Sequence, residues 1–536
     1  MSQNEKPQTS KQDAPEKAKP RRKPVLRDHQ QRGKTFVPPL LAILGDTFRG
    51  VSWRDQLVPE LLWLQLLIDR LDLKKGVCLG QTFTKAITSQ CSEQPSPVIR
   101  ISDYTGLAQQ SWDAVLSALS ERELSDLRRS LWPLVGLYPA CPLSGVFDSA
   151  WRAENRCDPD VEIPYLKRVL SDISDKRDQK AAVLQATAIY LWGVSGRFHV
   201  MEGVELPDLN EFVRNPSGAE SQKTASWLRA TVNVLASDMF PSAGDWVSYF
   251  WEQGLRISAC DTPRLQTVQD AAQRELARVA RIGREFREAL SHELQEAWST
   301  SLEAIHRHGT RKAEVLCGLL SRQSSLASAL ASYPAMWTTD VAYIVLRCMA
   351  ETHIALAWLA KFGKEEHFDT IVEYGLGQDK LLAEHLKAQG ADDYSDAKAL
   401  AQRVEAEIDR EKYTALLQVN VGQWWPKSVR EMAEECDCLE LFALWYQPFA
   451  GFVHGTWNTL KRCNLVQCQN PLHNFHMIPA FCHSFMQPLA ATRAVTLMAD
   501  TFQAWSEGLG LPHTEVRCCD SYFAALEAEE PDTEDE

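Results

Sequence analysis

The sequence predicts an all-α protein of two helical domains, flanked by a disordered basic N-terminal tail and a disordered acidic C-terminal tail. Three observations lead there. Apolar residues recur at intervals of three and four, as at Leu57, Leu61, Leu64 and Ile68, the spacing that lines one face of a helix. Stretches with the two-residue alternation of a strand are scarce, residues 98–102 being the best candidate. A chain of 536 residues, 45% hydrophobic and 24% charged, has a globular composition and is too long for one ordinary core.

Residues 1–35 contain Lys6, Lys11, Lys17, Lys19, Arg21, Arg22 and Lys23 and lack periodic apolar positions, so order is expected to begin near Phe36. The triplet Gly33-Lys34-Thr35 imitates the end of a phosphate loop. Asp28 stands where its first glycine belongs, and Pro38-Pro39 follows in place of a helix, which excludes that site. An N-terminal domain then spans residues 36–260. Its helices begin at Trp53, with Pro59 accommodated in the first turn, and continue over residues 111–119, 120–131, 163–170, 179–192, 221–235 and 246–253. The pattern breaks at Ser258-Ala259-Cys260-Asp261-Thr262-Pro263, the expected boundary. The C-terminal domain, residues 261–520, opens with an amphipathic run over 265–308, dense in Arg and Glu. Helices follow over 312–332, 339–362, 366–389, 395–417, 428–435, 439–460 and 479–509, and residues 521–536 read as the acidic tail.

A formal net charge of −14 argues against a protein that coats nucleic acid nonspecifically, because counterion release needs clustered Lys and Arg. The basic N-terminal arm or a local groove remains for RNA, DNA or an acidic partner. The fourteen cysteines are scattered and no apolar signal region precedes them, which points to reduced thiols in the cytoplasm. The most apolar run, residues 341–359, is interrupted by Arg347, Glu351 and His353; such charges suit a bundle helix better than a bilayer, so no membrane span is expected.

Three constellations could carry chemistry. Arg347 and Glu351 lie one turn apart on an otherwise apolar helix, either as an ion pair that fixes packing or as part of a polar pocket. Arg430, Tyr446 and His454 form the second set, with Tyr446 and His454 expected nearly aligned along one helix and Gly455 allowing close approach; the alternative is a hydrogen-bonded core histidine. The third is Cys463, Cys468, His473 and His476, with Cys482 and His483 beyond. Thiolate and imidazole donors could close a tetrahedral zinc site, although the spacing is irregular and reduced core cysteines fit it too. The neighbouring Cys436-x-Cys438 pair adds little to a metal set.

Residues 340–460 resemble a bacterial domain family of unknown function. The matching elements are Arg347-CMA-Glu351, Trp424-WPK-Ser428-V-Arg430-EM-Ala433 and Tyr446-QPFAGFV-His454, with Ala450 where the pattern places a serine. The resemblance implies an all-helical fold in a bacterial cytosolic protein, an accessory or effector of mobile-element defence. The spacing of Arg347 and His353 also resembles the signature of HEPN ribonucleases, although Arg22 with His29 and Arg287 with His292 match it equally.

The functional expectation is therefore a defence or stress effector acting on nucleic acid, as a metal-independent ribonuclease. His454 or His353 would exchange the proton and Arg347 or Arg430 would stabilise phosphorane charge, within a pocket completed by Glu351 and Tyr446. The alternative is a noncatalytic helical sensor or scaffold with protein partners or a second copy of itself, in which the same polar residues specify packing. No cofactor is required by either reading, zinc being the one candidate.

Overall fold

The computed structural model describes residues 28–33, 35–39, 42, 51–90, 99–196, 218–237, 245–262, 270–306, 310–390, 395–422, 425, 427–480, 486–511 and 516–528. The fold is all-α. Its named strands are three-residue pieces in two antiparallel hairpins, β1 (Gln30–Arg32) with β2 (Thr35–Val37), and β3 (Leu465–Gln467) with β4 (Met477–Pro479). The chain divides into two compact units: Met1–Asp261 with Cys468–His476, and Thr262–Gln467 with Met477–Glu536. A loop far down the chain thus belongs to the first unit.

The first unit contains α1 (Val58–Leu71), α2 (Leu73–Gln90), α3 (Gln109–Ser117), α4 (Glu121–Leu137), α5 (Ser149–Glu154), α6 (Pro159–Ser174), α7 (Gln179–Val194), α8 (Ala219–Ser237) and α9 (Asp245–Ile257). The Ser52 side chain caps a π turn, Trp53–Leu57, that runs into α1 with Pro59 in its first turn. Leu61, Leu62, Trp63, Leu64, Leu66 and Leu67 are all fully buried, so α1 is enclosed around its circumference, as a central helix is. Asp72, at φ 76°, ends it. Two buried indoles anchor to backbone carbonyls: Trp63 Nε1 donates to Ile99 O at 2.7 Å and Trp246 Nε1 to Pro59 O at 3.1 Å.

Local hydrogen bonding decides the strand candidate. Ile101–Tyr104 is a 3₁₀ turn, because the Asp103 carboxylate accepts the backbone N–H of Ile99 and Arg100 and pairs with the Arg100 guanidinium at 2.7 Å. Those bonds occupy groups that a strand would need for its ladder. Val98 lies outside the described residues, as does most of the basic tail. The end of that tail, expected to be structureless, instead forms the β1–β2 hairpin, with Gly33 at φ 61° in its turn.

In the second unit lie α10 (Asp270–His306), α11 (Thr310–Ser332), α12 (Thr339–Phe362), α13 (Glu365–Gly390), α14 (Ser395–Glu411), α15 (Val429–Glu435), α16 (Gln447–His454), α17 (Trp457–Cys463), α18 (Leu489–Gly508) and α19 (Arg517–Glu527). The amphipathic run becomes α10, which buries Val279, Ile282, Phe286 and Leu290 within this unit's core. It crosses α11 closely at Gly283, where a Cβ would meet Ala331 O at 1.9 Å, and Ser332 Oγ donates to Gly283 O at 2.9 Å. Helix α12 is long and apolar enough by composition to cross a membrane, yet most of it is buried. It packs against α11, α16 and α18.

Two expected elements divide. Residues 439–460 do not form one helix: Leu439–Leu441 leads into a π turn, Phe442–Tyr446, then α16 stops at Gly455, φ 59°, and α17 follows. The expected helix over 479–509 begins only at Leu489, Pro479 closing β4. The first residues of the expected acidic tail continue α19, which ends at Glu527 and buries Tyr522; residues 529–536 lie outside the described residues.

Candidate functional site

The first cluster sits in the second unit, where α12, the π turn and the segment before α15 meet. Arg347 Nη1 lies 3.4 Å from Glu351 Oε2, and Arg347 Nη2 donates to the Tyr446 hydroxyl at 3.2 Å. The guanidinium carbon stands 4.6 Å from the Tyr446 ring centroid, within reach of a cation–π attraction. Trp425 Nε1 donates to the other Glu351 oxygen at 3.3 Å. Burial pushes the Tyr446 hydroxyl pKa up, the Glu351 charge adding to it. The set is nearly closed, Arg347 Nε being its one buried nitrogen without a hydrogen-bond partner.

The other expected members stand elsewhere. Arg430 is exposed on α15 and pairs with Glu434 at 3.1 Å. His454 is exposed at the C-terminal end of α16. Among the described residues, no hydrogen bond or ion pair joins either one to Arg347, Glu351 or Tyr446. The expected alignment of Tyr446 with His454 fails on helical geometry, since eight residues leave an offset of about 80°. Pro448 does not break the helix; it occupies the first turn of α16.

His353 faces a different environment. It is buried, with Nδ1 3.0 Å from Thr501 Oγ1. Thr501 spends its one hydroxyl proton on Leu497 O at 2.6 Å. The histidine contact must therefore be donation from Nδ1–H, which leaves Nε2 as the acceptor nitrogen.

The second cluster belongs to the first unit. Cys260, Cys468, His473 and His476 place one ligand atom each within 4.8 Å of all the others, so this set could hold a metal ion. Cys260 Sγ lies 3.3 Å from His476 Nε2, and Cys468 Sγ lies 3.6 Å from His473 Nδ1. The loop is held to the residues after α9 by backbone and amide bonds. Gln469 N donates to Asp261 O at 2.8 Å, and Asn470 Nδ2 donates to Ala259 O at 2.8 Å and to Ser258 Oγ at 2.9 Å. Leu472 is fully buried in the core of the first unit, and Gly254 is required beneath it, because a Cβ there would meet Leu472 O at 2.2 Å. Asn474 and Phe475, at φ 52° and 49°, turn the chain back so that His476 O accepts from Cys468 N at 2.8 Å.

His473 has a defined second contact, its Nε2 lying 3.1 Å from Ser258 O. A carbonyl can only accept, so Nε2 carries the proton and Nδ1 faces the cluster with its lone pair. Burial pulls the His473 pKa down. Cys463 is replaced in the set by Cys260. Cys463 is buried at the end of α17, with its thiol pushed up to about 11 by burial and by Asp340. Cys482 and His483 lie outside the described residues. The signal for Cys260 was the break in helical pattern at residues 258–263, which put a cysteine in a loop.

An all-helical domain with a self-paired Arg, Glu and Tyr set is the class that the second unit defines. Residues 313–471 match the sequence model of a family of unknown function, DUF5677, and the motifs at Arg347, Arg430, Tyr446 and His454 fall inside that match. No curated protein and no solved structure matches the chain.

Proposed function

We propose that this chain is a noncatalytic helical scaffold or sensor, working in the cytoplasm with protein partners, whose first unit is closed by a structural zinc ion. The observation that carries the reading is the closure of the polar set: Arg347 is engaged by Glu351 and Tyr446, and Glu351 by Trp425. Groups so paired specify helix register. A ribonuclease of the expected kind would need His454 or His353 beside that arginine, whereas His454 is exposed and His353 bonds Thr501. The described cysteines stand as free thiols, which supports a reducing compartment.

Zinc fits the Cys/His cluster on donor chemistry and distance. Tetrahedral Zn–S bonds of about 2.3 Å and Zn–N bonds of about 2.0 Å place the ligand atoms about 3.3 to 3.8 Å apart. The Cys260–His476 and Cys468–His473 contacts are 3.3 and 3.6 Å. Two thiolates and two imidazoles complete four-coordination without an open position, the arrangement of a structural rather than a hydrolytic site. The ion would tie the end of α9 to a loop contributed from much later in the chain.

The test measures zinc content and RNA cleavage together. Purified full-length protein is expected to hold one zinc per chain, to lose it in Cys468→Ala and His473→Ala, to keep it in Cys463→Ala, and to leave a mixed RNA pool intact in EDTA. Absence of zinc after zinc-replete expression would remove the metal. Metal-independent RNA cutting abolished in a folded Arg347→Ala variant would replace the scaffold with a nuclease.

A further inference from the structure

The two thiols of Cys436-x-Cys438, unused by either cluster above, share a cleft of about 430 Å³ in the second unit with His353, Lys361 and Asp500. We propose that Cys436 and Cys438 are a reactive dithiol site for small hydroperoxides, with Cys436 as the attacking sulfur, Cys438 as the resolving one and His353 as the proton acceptor.

Backbone geometry brings the pair together. Helix α15 ends at Glu435, and Asp437 adopts φ 62°, a left-handed conformation that few residues other than glycine take and that Asp tolerates. The chain reverses so that Cys438 N reaches Ala433 O at 2.8 Å and Cys438 Sγ comes to 3.5 Å from Cys436 O. Cys436 Sγ in turn points to Ile354 O at 4.0 Å. Both are half-buried, open to the cleft yet held by the fold.

The surroundings give the two sulfurs unequal roles. The Cys438 side chain, the neighbouring backbone N–H groups and Lys361 hold the Cys436 thiol below its ordinary range despite burial. Among the described cysteines with a resolved shift, Cys436 alone moves in this direction. Cys438 moves up, first because of its bond to Cys436 and then because of burial, while His353 opposes that rise. His353 lines the same cleft, with Nδ1 engaged by Thr501 and Nε2 as its remaining nitrogen. A thiol held below its ordinary range beside a second thiol and an imidazole is the arrangement that favours thiol oxidation.

The steps balance. The Cys436 thiolate attacks the terminal oxygen of the hydroperoxide, the O–O bond breaks, and the alkoxide leaves as alcohol after taking a proton, giving Cys436 sulfenic acid. Cys438 then passes its proton to His353 and attacks the Cys436 sulfur. The S–S bond forms, and the S–O bond breaks with loss of water. Two thiols supply two electrons, and the peroxide is reduced to alcohol and water.

The experiment uses full-length protein, hydrogen peroxide as the probe, and peptide mass spectrometry after thiol capping. The peptide carrying Cys436 and Cys438 is expected to lose two hydrogens at least about tenfold faster than Cys317 is consumed, as thiolate character dictates. In Cys438→Ser a cyclic 1,3-dione should label Cys436 as sulfenic acid; in Cys436→Ser no label should appear at Cys438. Helicity of each variant is read beside the labelling, and His353→Gln separates folding from proton transfer by slowing disulfide closure while sulfenate formation persists. Capping of both thiols after peroxide, no dione label in Cys438→Ser, or earlier oxidation of Cys317 would each overturn the proposal.

Discussion

Glu60 offers the sharpest test of how the first unit is built. Its side chain is fully buried in α1, where it accepts bonds from the Ser102 N–H, at 2.9 Å, and the Ser102 hydroxyl. Burial raises its pKa to about 7 from an ordinary 4.5, with Ser102 and Arg100 opposing the rise. The folded state therefore holds a proton on Glu60 that the unfolded state releases above about pH 4.5. Stability from this group is fully present below that pH and is lost as pH rises through 7. At 1.36 kcal/mol per unit, the loss between about pH 4 and pH 8 approaches 3 kcal/mol. Hydrogen exchange of peptides spanning α1, corrected for intrinsic rates, reads the opening free energy locally. Wild type should lose protection across that range, while Glu60→Gln, which still accepts from Ser102, should not. Equal protection of wild type at both ends, or a loss retained in the variant, would refute buried-carboxyl linkage as the cause.

In the second unit, Gly283→Ala should cost about 2–4 kcal/mol by driving α10 and α11 apart, since its Cβ would meet Ala331 O at 1.9 Å. Gly318→Ala on α11, with nothing within 4 Å of the new Cβ, should instead stabilise by about 0.5–1 kcal/mol; thermal melts of the two variants must move in opposite directions. Arg347→Ala should lower the stability of the second unit by about 1–3 kcal/mol, because Glu351 and Tyr446 lose their partner in a half-buried site, whereas His454→Ala and Arg430→Ala should fall within about 0.5 kcal/mol of wild type. Denaturant titration distinguishes them, and a His454→Ala loss as large as that of Arg347→Ala would contradict the placement of His454.

Helices were legible because their signal is local. The three- and four-residue spacing around Leu57 to Ile68 and the break at residues 258–263 are written in neighbouring positions, and α12, Thr339–Phe362, keeps the bounds its pattern predicts. The errors also have local causes that periodicity does not carry. At residues 99–104 a single carboxylate, Asp103, claims backbone donors that alternation assigns to a strand. Between residues 439 and 460, apolar content continues through a π turn and a left-handed Gly455, so hydropathy sees one helix where the backbone makes four successive elements. Angular offset, read loosely, put His454 on the face of Tyr446; an eight-residue step does not return to the same side.

The candidate metal set marks the limit of spacing as a guide. Cys468, His473 and His476 are close in sequence and were found together, but a tetrahedral site needs a fourth donor, and nothing in the loop says whether that donor precedes it or comes from elsewhere. Cys463 is five residues before Cys468, yet the β3 strand lies between them and α17 holds Cys463 among its own unit's core residues. The true neighbour, Cys260, follows α9, and its proximity is created by tertiary anchors: Leu472 in the first unit's core, Gly254 leaving room for the loop backbone, and Asn470 bonding Ala259. Two of those anchors are apolar or glycine and carry no ligand signature. A site assembled by packing is thus legible as chemistry, in which residue types could bind, before it is legible as geometry, in which of them meet. The same holds for Cys436 and Cys438, which the left-handed Asp437 brings into one cleft with His353.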